Sequence, residues 1–118
     1  MVLAAVDELF FKVKIVEADK QVGVRLATAS TAADALARAR DERPALIILD
    51  LHSGPCAPTE VLKALKADPD LKALPSLGYF SHVEAEVGQR ALEAGCDQVL
   101  PRSTFSARLP DLLRPYAG

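Results

Sequence analysis

Charge of either sign is nearly balanced in this chain of 118 residues, with a net charge of −2. There is no basic excess with which to hold nucleic acid or an anionic membrane. No apolar run approaches the roughly 20 residues that cross a bilayer. The amino terminus has no charged secretory start, and acidic residues already occur at Asp7 and Glu8. Cysteine is scarce: Cys56 and Cys96 are far apart and form no Cys-x-x-Cys, the pattern of reduced thiols in a cytoplasmic protein. A Gly-x-Gly-x-x-Gly fingerprint and a Walker loop are both missing, which removes the commonest dinucleotide and nucleotide sites. Repeats, linkers and low-complexity stretches are missing too, so the chain is read as one domain, residues 1–118, with no output domain.

What is present is an alternation. Apolar or β-branched runs at Val2–Val6, Val24–Thr28, Ala45–Leu49, Ser76–Phe80 and Gln98–Leu100 predict strands. Helical spacing fills the intervals. Phe11, Ile15, Ala18 and Val22 share one face; Ala32, Leu36 and Ala39 follow a cap at Ser30 or Thr31. A third helix around Thr59–Ala67 buries Val61 and Leu65. A fourth puts Val83, Val87, Ala91 and Ala94 on one stripe and stops at Gly95. The fifth carries Phe105, Leu109, Leu112, Leu113 and Tyr116. Pro110 removes a backbone donor there, which predicts a helix that starts late or bends.

Five βα units of this size imply an α/β, flavodoxin-like (βα)5 sandwich of three layers. Its parallel five-stranded sheet is expected in the order 2-1-3-4-5. The switch point of that order lies between strands 1 and 3. Those strands run into Asp7-Glu8 and Asp50, so three carboxylates are expected at the crevice where open α/β sheets place their chemistry. Crowded carboxylates raise the proton affinity of at least one of them, and a hard divalent cation relieves the repulsion. The competing reading is that Asp7 and Glu8 merely favour the first turn of helix 1.

Three segments, in this order and at this spacing, resemble the receiver domain of bacterial two-component response regulators, a CheY-like fold. They are Val6-Asp7-Glu8, Arg43-Pro44 through Asp50-Leu51, and Ala94-Gly95-Cys96-Asp97-Gln98-Val99-Leu100. The resemblance covers nearly the whole chain. It implies that Asp50 is the phosphoacceptor for a histidine kinase. It also implies that Asp7, Glu8, Asp50 and the backbone carbonyl of His52 hold Mg²⁺, which bridges acceptor and phosphoryl oxygens.

The departures from that family concern the switch. Receivers carry a Thr or Ser at the end of strand 4; here Phe80 stands there, without a hydroxyl. Ser81 is next, but adjacent strand residues face opposite sides. The lysine of strand 5 is replaced by Arg102, expected to aim at the acidic pocket and pair with Asp50. The strand-5 aromatic is Val99, so the Phe80 ring is expected to fill the space it leaves. His52 is read as a solvent-facing loop residue, and His82 as the start of helix 4. Two readings follow: an atypical receiver that works as a protein-interaction module with a degraded switch, or a functional phosphoacceptor. Neither assigns the chain a catalytic residue of its own. A flavodoxin-like cofactor-binding domain is a remote third. The helix 4–strand 5–helix 5 face, with Glu84, Glu86, Arg90, Arg102 and Arg108, is the candidate surface for a protein partner or a homodimer.

Overall fold

The computed structural model describes residues 1–117. Its elements are β1 (Val2–Ala5), α1 (Leu9–Val22), β2 (Leu26–Ala29), α2 (Ala32–Glu42), β3 (Leu46–Asp50), α3 (Pro58–Ala67), β4 (Ser76–Phe80), α4 (Ala85–Glu93), β5 (Gln98–Pro101) and α5 (Arg102–Leu113). The strands form one parallel sheet in the order β2-β1-β3-β4-β5, the topology expected of the alternating pattern. β1 and β3 lie side by side, Val2 opposite Leu46 and Ala5 opposite Leu49, so their carboxyl ends open onto one crevice.

β1, and β3 as far as Leu49, are apolar at every position because both faces of the sheet are covered. On one face Leu3, Ala5, Ile47 and Leu49 meet Ala35, Ala39, Val61, Leu62, Leu65 and Ala91 of α2, α3 and α4. On the other, Val2, Ala4, Ile48 and Tyr79 meet Phe11 and Ile15 of α1 and Phe105, Leu109 and Leu113 of α5. Tyr79 stacks between Phe11 and Phe105, with ring centroids 4.7 and 4.5 Å away. That sandwich seats α1 and α5 on the sheet beside Asp50.

The caps follow local chemistry. Thr31 accepts the Asp34 N–H at the start of α2. Gly23 closes α1 in the left-handed conformation, and Val24 still donates its N–H to the Asp19 carbonyl. Val24 is therefore held by the helix cap, and the second strand begins at Leu26, later than the apolar run suggests.

Two helix expectations are corrected. The segment His82–Glu84 is a 3₁₀ turn, and α4 begins only at Ala85. Val83 thereby falls off the α4 stripe and is 74% exposed. The fifth helix does not start late: it runs from Arg102 with Pro110 inside it and tightens into a 3₁₀ turn at Arg114–Tyr116. The proline removes the one N–H that would reach the Ser106 carbonyl, and burial of Phe105, Leu109 and Leu113 on the core face offsets that loss.

Asp19 is a polar intruder in the α1 core face. It is 3% exposed, and neither carboxylate oxygen has a hydrogen-bond partner. Burial pushes its carboxyl up to about 6.

Candidate functional site

Asp50 ends β3 beside Tyr79 of β4 and is 4% exposed. Its Oδ1 accepts the backbone N–H of His52 at 2.9 Å. Burial raises its carboxyl above the ordinary range; the His52 N–H and the positive charge of Arg102 oppose that, and the charge of Asp7 adds to it. Asp50 is thus a desolvated carboxylate held by one hydrogen bond, with a second carboxylate near enough to be felt.

Asp7 connects to the loop after β3. Its Oδ1 accepts the Ser53 hydroxyl at 2.5 Å, and the same Oγ accepts the Cys56 N–H at 3.1 Å. Ser53 is buried, and it joins the β1 end to the turn that leads into α3. The turn is also tied to α2, where Ala32 donates its N–H to the Pro55 carbonyl. A serine within a Ser-Gly-Pro turn signals only a bend in sequence; the bridge to Asp7 is tertiary.

The expected trio of carboxylates is a pair. Glu8 caps α1, its two oxygens accepting the N–H groups of Phe10 and Phe11 at 2.9 and 3.0 Å. Those donors lie two and three residues away and are otherwise orphaned, so local capping claims the side chain. Among the described residues no three His, Cys, Asp or Glu side chains are grouped as a metal shell would need.

Arg102 also departs from expectation. It forms no ion pair with Asp50; the guanidinium carbon lies 5.7 Å from the centre of the Phe11 ring, and Nε is buried without a partner. The Phe11 ring, at the edge of the aromatic sandwich, offers the guanidinium a cation–π seat in place of an ion pair. Its charge still reaches Asp50, lowering that carboxyl's proton affinity.

Phe80 and Val99 share one apolar cluster, with Val87. The ring lies against α4 at Gly88, where an added Cβ would stand 2.9 Å from Phe80 Cε1 and 3.1 Å from Cδ1. A glycine in mid-helix is what admits so close an approach, a pairing not apparent until β4 and α4 are folded together.

His52 is not a solvent-facing loop residue. Its Nε2 accepts the backbone N–H of Ser81 at 2.8 Å, and Nδ1 lies 3.3 Å from Glu84 Oε2. With Nε2 accepting, the ring proton sits on Nδ1, toward the glutamate. The fold brings the β4 end close enough to offer the imidazole both partners.

No family model matches the chain. It is 27% identical over 85 residues to the polar-differentiation response regulator DivK of Brucella anthropi, covering 72% of this chain and 69% of that protein. DivK of Brucella ovis is 26% identical over the same share. In three dimensions the chain is similar to the chemotaxis response regulator CheY4 of Vibrio cholerae, with a TM-score of 0.83 and 23% identity over 98% of this chain and 96% of that one. The receiver domain of the sensor histidine kinase PA1611 of Pseudomonas aeruginosa, a structure with magnesium in its active-site cleft, gives a TM-score of 0.84 at 16% identity, covering 98% and 94%. By topology the chain has the fold of CheY-like receiver domains, and in sequence it is similar to response regulators.

Proposed function

We propose that the domain is an atypical receiver: it keeps a buried carboxylate at Asp50, has a degraded phosphorylation switch, and acts as a protein-interaction module. The Phe80 ring carries this reading. It occupies the end of β4, where a hydroxyl would contact a phosphoryl group, and it is packed onto Gly88 of α4. A ring held in a close-packed site has few alternative rotamers, so α4 and β5 keep one arrangement.

The donor set suits Mg²⁺ better than zinc. Mg²⁺ is bound by one or two carboxylates with water and substrate phosphate completing its shell. Asp7, Asp50 and the His52 carbonyl would hold it; bound there, it would neutralise charge between acceptor and phosphoryl oxygens. Asp50 Oδ1 is engaged by the His52 N–H, which leaves Oδ2 to attack phosphorus. Arg102, on its ring, stands ready as a movable positive charge for a phosphoryl oxygen. These features favour a second reading, a functional phosphoacceptor served by a histidine kinase.

As a signalling module the domain is expected to be cytoplasmic and to engage a protein partner rather than nucleic acid. The α4–β5–α5 face is the candidate surface for that partner or for a homodimer. None of the described helices is long and apolar enough to cross a membrane. Incubation with Mg²⁺ and acetyl phosphate, followed by intact mass, separates the readings. An atypical module gains little or no phosphoryl mass; stoichiometric gain that disappears in Asp50→Asn establishes the phosphoacceptor.

A further inference from the structure

His52 holds three groups at once. Its backbone N–H binds the acceptor at Asp50 Oδ1, its Nε2 takes the Ser81 N–H, and its Nδ1 faces Glu84. The last two contacts fall at opposite ends of one 3₁₀ turn, which closes on itself through the Glu84 N–H and the Ser81 carbonyl. That turn presents Val83, the most exposed large apolar side chain of the molecule. Phe80, just before it, has no hydroxyl with which to reach the acceptor, and Arg102 makes no ion pair there. The sheet joins the two strands at the Leu51 N–H and the Tyr79 carbonyl; the side-chain route from the Asp50 loop to the turn at the β4–α4 junction is His52.

We infer that His52 is the positioning residue that couples the state of Asp50 to the Val83 turn, in place of the missing strand-4 hydroxyl. The inference rests on the receiver reading only in taking Asp50 as the group whose state changes. Loss or modification of the Asp50 oxygen releases the His52 N–H, and the peptide is then free to turn about the β3 end. The imidazole on the same residue cannot follow that rotation and keep both Ser81 and Glu84. The turn loosens as a unit, and the exposure of Val83 changes while α4 itself stays fixed against Phe80.

The test uses amide NMR shifts of the ligand-free chain, so that it stands apart from whether phosphoryl transfer occurs. Asp50→Ala, which removes the oxygen that holds the His52 N–H, is compared with wild type, and again in a His52→Ala background. Coupling through the imidazole predicts that Asp50→Ala moves the Ser81, Val83 and Glu84 amides in wild type, and moves them several-fold less once His52 is alanine. His52→Gln, whose carboxamide oxygen can accept the Ser81 N–H, restores part of the response and serves if the alanine variant is poorly folded. Equal movement of residues 81–84 with and without the imidazole overturns the inference. So does an Asp50→Ala spectrum in which those amides never move.

Discussion

Replacing Asp19 by asparagine should stabilise the protein. The carboxylate is buried with no partner for either oxygen. A group whose pKa moves from 3.8 to about 6 on folding costs about 3 kcal/mol once ionised in both states, at roughly 1.4 kcal/mol per pH unit. The sign follows from linkage. The folded state binds this proton more tightly than the unfolded state, so the cost is fully present above about 6, shrinks as pH falls, and is gone below 3.8. Asparagine carries no charge but still buries an amide, a residual penalty of about 1 kcal/mol. The net expectation is a gain of about 1–3 kcal/mol near neutral pH. Urea unfolding at two pH values measures it, as a midpoint raised by roughly 0.5–2 M with an unchanged slope. At pH 4 the advantage should vanish or reverse. A variant less stable than wild type at pH 7.5, or a gain equal at both pH values, would refute the burial argument.

The other predictions concern the crevice and its walls. Gly88→Ala should destabilise by about 1–2 kcal/mol despite alanine's better helix propensity, because the Phe80 ring must move; in a Phe80→Leu background the cost should fall or reverse, as chemical denaturation would show. Phe80→Thr should restore a hydroxyl and leave a void, costing about 1–4 kcal/mol in the same assay. Arg102→Ala should raise Mg²⁺ affinity by roughly 2–5-fold in an NMR titration, since it removes a positive charge felt at Asp50 without breaking an ion pair. Ser53→Ala should cost about 1–2 kcal/mol and free Asp7, read from unfolding and from the amide shift of Cys56.

The architecture was legible because it depends on period and position. Runs such as Leu46–Leu49 are apolar at every residue since a parallel strand is covered twice, and the alternation with helices leaves few topologies. The crevice followed from topology, which brings the β1 and β3 ends together. Side-chain engagements were not legible, because they depend on competition among nearby partners. Glu8 and Asp7 are adjacent acids, yet the helix amides claim the first and Ser53 the second. His52 looked like a loop histidine because Ser81 and Glu84 are distant in sequence. Arg102 was expected at the carboxylate, but an aromatic face competes for the same head group. Asp19 did carry a signal: it lies four residues after Ile15 and three before Val22, on the stripe that faces the core.

On the proposed reading, occupancy of Asp50 leaves α4 and β5 in place, because the Phe80 ring of β4 is packed onto Gly88 and shares an apolar cluster with Val99. Backbone amide shifts with and without Mg²⁺ and beryllofluoride, a phosphoryl mimic, test it most directly. The prediction is that perturbations gather in residues 50–57 and in the 81–84 turn, and that Gly88, Ala91 and Val99 stay where they were. Large shifts spreading through residues 85–104 would show a working relay and contradict the packed arrangement.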